Sequence, residues 1–556
     1  MFKEVGIMRR LFVFAALVIP FFALILGVHS HSGTSQIIAQ DENSFLVGGC
    51  TSIMVGRLAT ADGSVITSHT CDGMFRTWLT VSPHRTNAPD SKNSVYQGRM
   101  RTKDPLDQRN LKILGEIPET AESYSFLDTA YPCVNEHQLA IGETTIIVRK
   151  ELRNLEGGIL HIEELQRLML ERCRTAREAI SLADELTKKY GYIDYMGECL
   201  TIADPKEVWH FEIACAKPKS AGAVWAAVRI PDDHVGVSAN ISRIGEIDLS
   251  NPDRYMASSN IYSLAEEMEW WDSKSGKPFR FYEVYGGVRK NFIDREWRIL
   301  SLAAPSLGLD PNAAEIPFSV KAERKVSVRE VINWFRDTYE KTIYDKTRKL
   351  IVTSQTNEKL ISPIASPWMT SDLTALINTL KPESVPQAYV IPNNSCSYST
   401  VIQLRSWLPD PIGGIVWFGF DNPAHGARMP LYCGITRVPP DFEVSGQHGF
   451  TMAAASWAFR RVSRLAGVKW GATRPLVESL IMELEDQAFA ELPDIEKRAI
   501  SLYEKDPDKA RAALTSYCEN FARAATRRFW ELGNTLMDMF AYDFYFTPEQ
   551  LKSMRK

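Results

Sequence analysis

CTSIMVGRLATADGSVITSHTCDG, residues 50–73, is the most informative stretch of this 556-residue chain. Residues 51–55 alternate between two sides, with Thr, Ile and Val on one of them, which is the period of a β-strand. Residues 61–64, ADGS, have the composition of a turn, and residues 65–68 resume a strand. The stretch therefore predicts a β-hairpin that begins at Cys50.

A removable leader would make Cys50 the first residue of the mature chain. Residues 30–49 are largely polar, small and turn-prone, and they end in Gly48 and Gly49. Cleavage of the bond before Cys50 would free an α-amine, with a pKa of about 7.7–8.0, on the residue that carries the thiol. One residue would then supply both the general base and the nucleophile of an amide hydrolase. The same cysteine also fits two other interpretations, a small buried core residue and a lipid-modified cysteine.

The first 29 residues have the pattern of a targeting segment. Lys3, Arg9 and Arg10 precede an uncharged, predominantly apolar run at residues 11–28. This is the pattern of a secretory signal peptide, and the run is also near the lower length limit of a membrane span. We therefore expect residues 1–29 to be a signal peptide or a membrane anchor. The folded protein would then be extracytoplasmic: secreted, periplasmic or tethered to a membrane through residues 11–28.

The composition is that of a folded globular protein and excludes several functional classes. The chain is 45% hydrophobic and 24% charged with a formal net charge of −4, unlike the basic footprint of a nucleic-acid binder. It contains no HExxH and no CxxC motif, so we expect no metal site and no cofactor. Nine cysteines are an odd number, which leaves at least one thiol without a partner inside the chain.

Strand and helix signals are mixed along the remaining chain. The strand signals lie at residues 139–148, 207–215, 223–229, 234–241 and 414–420. Helical spacing occurs at residues 162–173, in a second helix that Thr175 caps and Gly191 ends, and at residues 457–466, 475–492 and 509–540. We therefore expect an α+β protein with a catalytic domain at residues 50–450 and a helical C-terminal region at residues 451–556.

Six segments together resemble one protein family. Besides residues 50–73, they are NEHQLAIGETTI (135–146), the segment from TAREAI to KKYG (175–191), EVWHFEI (207–213), AVRIPDDHVGVSANISRIGEIDL (227–249) and the block from CSYSTVIQ to YCGIT (396–436). In this order they are similar to the secreted cysteine dipeptidases, which are relatives of the secernins among the N-terminal-nucleophile hydrolases. That superfamily also includes the penicillin V and bile-salt acylases. The resemblance implies a four-layer αββα fold, a cysteine exposed by processing, small peptide substrates and a homo-oligomer.

The resemblance also implies roles for three residues. Cys50 matches the nucleophile, and Asp72 matches the acidic residue that holds the freed α-amine. Asn240 falls where the acylase relatives place an asparagine at the oxyanion or at the amine. On local grounds, Asp72 equally fits a turn aspartate before Gly73, and Asn240 equally fits a turn at the end of a strand.

A second group of residues is expected to line the substrate site. Glu143 and Thr145 lie near the position where the acylases carry another oxyanion donor, and Glu143 could also bind a substrate ammonium or be purely structural. His69 stands roughly where many relatives have an arginine, and it opens the alternative of a Cys–His dyad. Arg243 and Arg405 are the candidates for the arginine that some acylases use.

Three functions therefore compete at this point. The first is a dipeptidase, and the second is an acylase that cleaves a non-peptide amide at the same site. The third is a lipid-anchored surface protein without enzymatic activity, in which Cys50 is modified rather than catalytic.

Overall fold

The computed structural model describes residues 49–217, 221–287, 293–354 and 356–554. The predicted targeting segment at residues 1–29, with its tether at 11–28, lies outside the described residues, as does the whole leader except Gly49. Gly49–Lys556 form one compact unit. Within the described residues, no helix combines the length and the apolar character that crossing a bilayer requires.

The strands fall into two large sheets and three two-stranded sheets. In chain order they are β1 (Ser52–Val55), β2 (Val65–Asp72), β3 (Thr80–Ser82), β4 (Arg85–Thr86), β5 (Lys92–Gln97), β6 (Lys112–Pro118), β7 (Glu122–Ser123), β8 (Phe126–Asp128), β9 (Val134–Asn135), β10 (Ala140–Ile146), β11 (Gly197–Ala203), β12 (Val208–Cys215), β13 (Ala223–Arg229), β14 (His234–Ser238), β15 (Tyr255–Ala257), β16 (Ser319–Lys321), β17 (Ile351–Thr353), β18 (Lys359–Ile361), β19 (Cys396–Leu404), β20 (Ile415–Phe420) and β21 (Met429–Tyr432). The first sheet has the order β16-β14-β1-β2-β19-β20-β21, and the second has the order β15-β13-β12-β11-β10-β9-β8-β3.

The described α-helices number twelve. They are α1 (Ile162–Arg172), α2 (Ala176–Tyr190), α3 (Ser263–Glu267), α4 (Phe281–Val284), α5 (Ile293–Ala303), α6 (Val328–Trp334), α7 (Ser371–Leu380), α8 (Asp410–Gly413), α9 (Ser456–Val468), α10 (Trp470–Tyr503), α11 (Pro507–Ala541) and α12 (Pro548–Met554). With antiparallel pairing throughout both large sheets, the protein is α+β, as the sequence predicts.

The two large sheets pack against each other, and helices contact both of them. Strand β2 of the first sheet contacts β10 and β11 of the second. Helix α2 covers β11, β12 and β13, whereas α5 and α11 contact β14 and β21 of the first sheet. All eight residues of β2 are buried because this strand is central in its sheet and covered on a face by the other sheet. Its sequence, VITSHTCD, therefore lacks the alternation of a half-exposed strand.

The predicted helix boundaries hold at α2 and fail at α10. Thr175 and Glu178 form a capping box at the start of α2, and Gly191 follows its last turn with φ 73°. We expected a helix at residues 475–492, and that end is wrong: α10 runs through Pro493 to Tyr503. Its buried face continues past the proline and packs against α11, and this packing outweighs the lost backbone hydrogen bond.

Candidate active site

The strand order brings the predicted site residues to one edge of the first sheet. Cys50 lies two residues before β1 and is buried. Strand β1 runs antiparallel to both of its neighbours, β2 and β14, so its beginning lies beside their ends. Asp72 is the last residue of β2, and Asn240 lies two residues beyond β14. The backbones of Thr51 and β2 are joined at this edge, where the Thr70 amide donates to the Thr51 carbonyl over 3.0 Å.

An arginine from helix α5 binds the backbone around the predicted processing bond. Nη1 of Arg295 donates to the carbonyl oxygens of Gly49 and Cys50, each over 2.7 Å. Nη2 donates to Oδ1 of Asn240 over 2.7 Å and to the Ala239 carbonyl over 3.1 Å. The side chain is fully buried. A guanidinium held in this way presents a fixed positive charge to the carbonyl that Cys50 would attack during processing.

Tyr389 connects Gly49 to Asp72. The Gly49 amide donates to the hydroxyl of Tyr389 over 2.5 Å, and that hydroxyl lies 3.5 Å from Oδ2 of Asp72. The Tyr389 ring also packs under the Arg295 guanidinium, 4.6 Å from its central carbon. Asp72 is therefore next to the backbone segment whose cleavage would release the α-amine.

Asn240 acts here as a bridge between Arg295 and the second sheet. It has a φ of 67°, a left-handed conformation that asparagine tolerates better than most residues. Its Nδ2 donates to the Thr145 carbonyl over 2.7 Å, and its Oδ1 accepts from Arg295. In this arrangement the group that contacts the Gly49 carbonyl is Arg295 rather than the amide of Asn240.

Cys50, His69 and Glu143 form a compact buried cluster. Three atoms of this cluster lie within 4.8 Å of one another: the thiol sulfur of Cys50, a ring nitrogen of His69 and a carboxylate oxygen of Glu143. Nε2 of His69 lies 3.3 Å from Oε2 of Glu143, and Thr145 Oγ1 donates to Oε1 of Glu143 over 3.3 Å. Among the described residues, no hydrogen bond joins His69 to the thiol, which is the contact that a Cys–His dyad would use. The donor set matches the preferences of zinc, so chelation is a necessary control in any assay.

Burial and negative charge make a thiolate at Cys50 unfavourable. Desolvation is the largest cause that raises the pKa of the Cys50 thiol well above its ordinary value, and the Glu143 and Asp72 carboxylates raise it further. Burial also raises the pKa of Asp72 to about 7, although a hydrogen bond with Cys396 and the charge of Arg295 act in the opposite direction. To act as a nucleophile, the Cys50 thiol therefore needs a base in contact with it to accept its proton, or a positive charge beside it to stabilise the thiolate.

The two arginines proposed from the sequence lie in other interactions. Arg243 donates to the Pro317 carbonyl over 2.5 Å and pairs with Glu296 at 3.3 Å. Arg405 donates to the carbonyls of Gly413 and Ile412, each over 2.9 Å. Neither contacts Cys50. All nine cysteines lie in the described part of the chain, where they are buried and free of disulfides.

Arg295 and Tyr389 are the site residues that the sequence reasoning missed. Arg295 belongs to an ordinary-looking amphipathic helix, and Tyr389 lies in an irregular segment without a motif. The available signal was indirect: some acylases use an arginine at this site, and the structure shows that neither Arg243 nor Arg405 is that residue.

Gly49→Ala is expected to slow processing at least about tenfold, because a methyl group does not fit there. An added Cβ would collide with Oδ1 of Asn240 and approach Nη2 of Arg295 to 2.9 Å. Because these two atoms are hydrogen-bonded to each other, neither can move away without breaking that bond. The time course of leader removal, followed by intact mass, measures the effect. Gly467→Ala is the matched control, since its added Cβ would meet no atom within 4 Å. Equal processing rates in the two variants would refute the steric argument.

Comparison with known proteins adds an independent finding. The model of peptidase family C69 matches residues 49–483, beginning one residue before Cys50. A probable dipeptidase of Latilactobacillus sakei is 24% identical over 77% of this chain and 82% of its own length. Probable dipeptidase B of Lactococcus lactis subsp. lactis is 26% identical over 87% of this chain and 94% of its own length. A probable dipeptidase of Salmonella dublin is 25% identical over 70% of this chain and 82% of its own length.

Proposed function

The chain belongs to peptidase family C69, and on this basis we propose that it is a dipeptidase whose nucleophile is the Cys50 thiol, freed by autocatalytic removal of residues 1–49. Its substrates are small peptides, in keeping with the names of its relatives. The order of helices and sheets supports the αββα fold of the N-terminal-nucleophile hydrolases. Residues 1–29 would direct the protein out of the cytoplasm, as a cleaved signal or as an anchor through residues 11–28.

The observation that carries this proposal is the contact between Arg295 and the Gly49 carbonyl. The Cys50 thiol attacks that carbonyl carbon, and the oxygen, which lies 2.7 Å from Nη1 of Arg295, becomes the oxyanion. The bond to the Cys50 nitrogen then breaks, the nitrogen takes up the thiol proton, and the leader remains as a thioester on sulfur. Water hydrolyses this thioester and leaves a carboxylate at Gly49 and a free thiol.

Processing also supplies the base that peptide hydrolysis requires. Before cleavage, the Cys50 nitrogen is an amide and cannot accept a proton. After cleavage it is an amine, which in its neutral form takes the thiol proton as sulfur attacks the scissile carbonyl of a dipeptide. The protonated amine then gives that proton to the leaving amino acid, and water hydrolyses the acyl-thioester. The carboxylate of Asp72 lies near the new amine and would orient it.

The test combines the N-terminus of the mature protein with substrate profiling. We expect intact mass and N-terminal sequencing to show a chain that begins at Cys50, and that chain to release amino acids from dipeptides. Hydrolysis confined to non-peptide amides would favour an acylase instead. An active enzyme that still carries residues 30–49 would refute the mechanism, and an acylated Cys50 would favour the lipid-anchored alternative.

Asp72→Asn is expected to stabilise the precursor at alkaline pH although it should impair catalysis. In a Cys50→Ala background, which keeps the leader attached, burial raises the pKa of Asp72 from 3.8 to about 7. Because the folded protein holds this proton more tightly than the unfolded chain, Asp72 contributes its full stabilisation of the fold below about pH 4. That contribution is lost as the pH rises through about 7. Asparagine carries no charge, so the stability gain from Asp72→Asn should grow by about 2–3 kcal/mol between pH 5 and pH 8. Urea unfolding at the two pH values measures this, and a gain that is equal at both would contradict it.

A further inference from the structure

Two buried polar atoms beside the thiol make no hydrogen bond. Nε2 of His69 and Oε2 of Glu143 are inaccessible to solvent, and within the described chain neither has a hydrogen-bond partner. They lie 3.3 Å apart, and their residues are 1% and 0% exposed. Buried polar atoms are normally satisfied, because leaving one unpaired costs about 1–3 kcal/mol. Two such atoms at one place indicate that a donor belongs between them.

The surroundings of Glu143 favour a cationic donor. Its Oε1 already accepts from Thr145, so Oε2 is the oxygen that remains free. Behind it lies Glu198, whose pKa is raised well above its ordinary value by burial first and by Glu143 second. Burial and the neighbouring Glu143 side chain therefore both disfavour the charged form of Glu198.

The fixed cation nearest to the processing bond does not serve this carboxylate. Arg295 donates to three backbone carbonyls, to Asn240 and to Oγ1 of Thr51. Among the described residues, His69 is the basic side chain within ion-pair distance of Glu143. A buried carboxylate without a strong cationic partner is unfavourable for folding, and it is suited to a ligand that brings the positive charge with it.

We propose that Glu143 and His69 bind the free α-ammonium group of the dipeptide, so that the enzyme cleaves only after a residue with an unmodified N-terminus. This inference rests on the proposed dipeptidase activity and names the group that selects its substrates. The ammonium donates one hydrogen to Oε2 of Glu143 and one to Nε2 of His69, which accepts when the ring proton is on Nδ1.

The distances fit the residue whose carbonyl is attacked. In an amino acyl group the α-nitrogen lies about 2.5 Å from the carbonyl carbon, from standard bond lengths and angles. With sulfur about 3.2 Å above that carbon, the nitrogen lies about 4 Å from sulfur. A carboxylate within 4.8 Å of the Cys50 sulfur can then meet that nitrogen at hydrogen-bond distance. An ammonium one residue farther from the scissile bond would lie too far from the Glu143 carboxylate to form a hydrogen bond. Peptides with a longer N-terminal extension would therefore not bind at this position.

The experiment compares alanyl-leucine with propionyl-leucine, which has the same shape without the ammonium, by the leucine that each releases. A site built to bind an ammonium rejects the analogue that lacks it, so wild-type kcat/KM should differ by about 10⁴-fold. Glu143→Gln keeps the shape and removes the charge, and it should lower kcat/KM for alanyl-leucine by roughly 30- to 1000-fold. The readout is the ratio of the two kcat/KM values, because Glu143→Gln also changes the charge beside the Cys50 thiol, and this ratio should fall by the same roughly 30- to 1000-fold.

Two further variants and a chelator complete the design. Glu163→Gln is the matched control, because Glu163 is also a buried glutamate but is not part of the cluster of Cys50, His69 and Glu143. His69→Asn removes the acceptor at Nε2 and should reduce the preference for the ammonium even if Glu143→Gln does not fold. Intact mass and iodoacetamide labelling of Cys50 verify that each variant is processed, and excess EDTA should leave every ratio unchanged.

The outcomes separate this inference from the activity on which it rests. If wild-type enzyme releases no leucine from either compound or from other dipeptides, the dipeptidase proposal fails. If it cleaves both compounds equally well, or if processed Glu143→Gln and His69→Asn keep the wild-type preference, the ammonium site is wrong and the dipeptidase proposal stands. Loss of the preference on chelation would replace the ammonium by a metal ion bound at Cys50, His69 and Glu143.

Discussion

Cys50→Ala is expected to abolish both leader removal and peptide hydrolysis, and the protein should accumulate as a folded precursor. In the proposed mechanism both reactions use the same sulfur, so no other group would substitute for it. Loss of a nucleophile of this kind lowers kcat by roughly 10⁴-fold or more. Intact mass of the purified protein reports processing, and amino acid release from dipeptides reports activity.

The neighbouring cysteine supplies the control for this variant. Cys71 lies on β2, is fully buried, and contributes to the electrostatic environment of Cys50. Cys71→Ala should be processed and should still react with iodoacetamide at Cys50. If Cys50→Ala loses its leader at the wild-type rate, the intramolecular attack is wrong and a separate protease must remove residues 1–49.

Arg295→Met is expected to slow leader removal by about 100- to 1000-fold, the usual effect of removing one donor to an oxyanion. Methionine fills much of the same volume but leaves the Gly49 carbonyl without its Nη1 donor. Arg295→Lys should recover only part of the rate, because one ammonium cannot reach both the Gly49 carbonyl and Asn240 as the guanidinium does. The rate is measured by intact mass during refolding of the precursor.

Arg243→Met separates this catalytic effect from a general loss of stability. Arg243 is also a buried arginine with carbonyl and carboxylate partners, but it does not contact the processing bond. The variant should be less stable than wild type and yet be processed at a similar rate once folded. Similar processing rates for folded Arg295→Met and wild type would remove Arg295 from the mechanism.

Local pattern and family resemblance predicted different parts of this molecule. The hairpin from Cys50 and the strands at 223–229 and 414–420 follow from short-range alternation and turn composition, and the structure contains them. Strand β1 starts at Ser52, two residues later than expected, because its ladder with β14 begins there. The end of α10 could not be predicted, because packing against α11 carries that helix through Pro493.

The same contrast applies to the active site. Asp72 and Asn240 were proposed from the family resemblance, and the structure places them at or just beyond the ends of strands beside the start of β1. Arg295 and Tyr389 come from segments about 250 and 340 residues farther along the chain, and only the tertiary fold brings them to Gly49. A sequence pattern describes neighbours along the chain, so a contact of this range leaves no local signal.

The absence of disulfides has a practical consequence for handling the protein. All nine thiols are buried in the folded precursor, and none is committed to a cross-link. The proposed cleavage before Cys50 would remove the buried residue that precedes it and leave the other eight thiols covered. A fast thiol-specific dye should therefore react with native precursor at close to zero equivalents and with fully matured enzyme at close to one. The dye stoichiometry of an undenatured sample then gives the fraction of competent molecules directly, and specific activities from different preparations can be placed on a common scale.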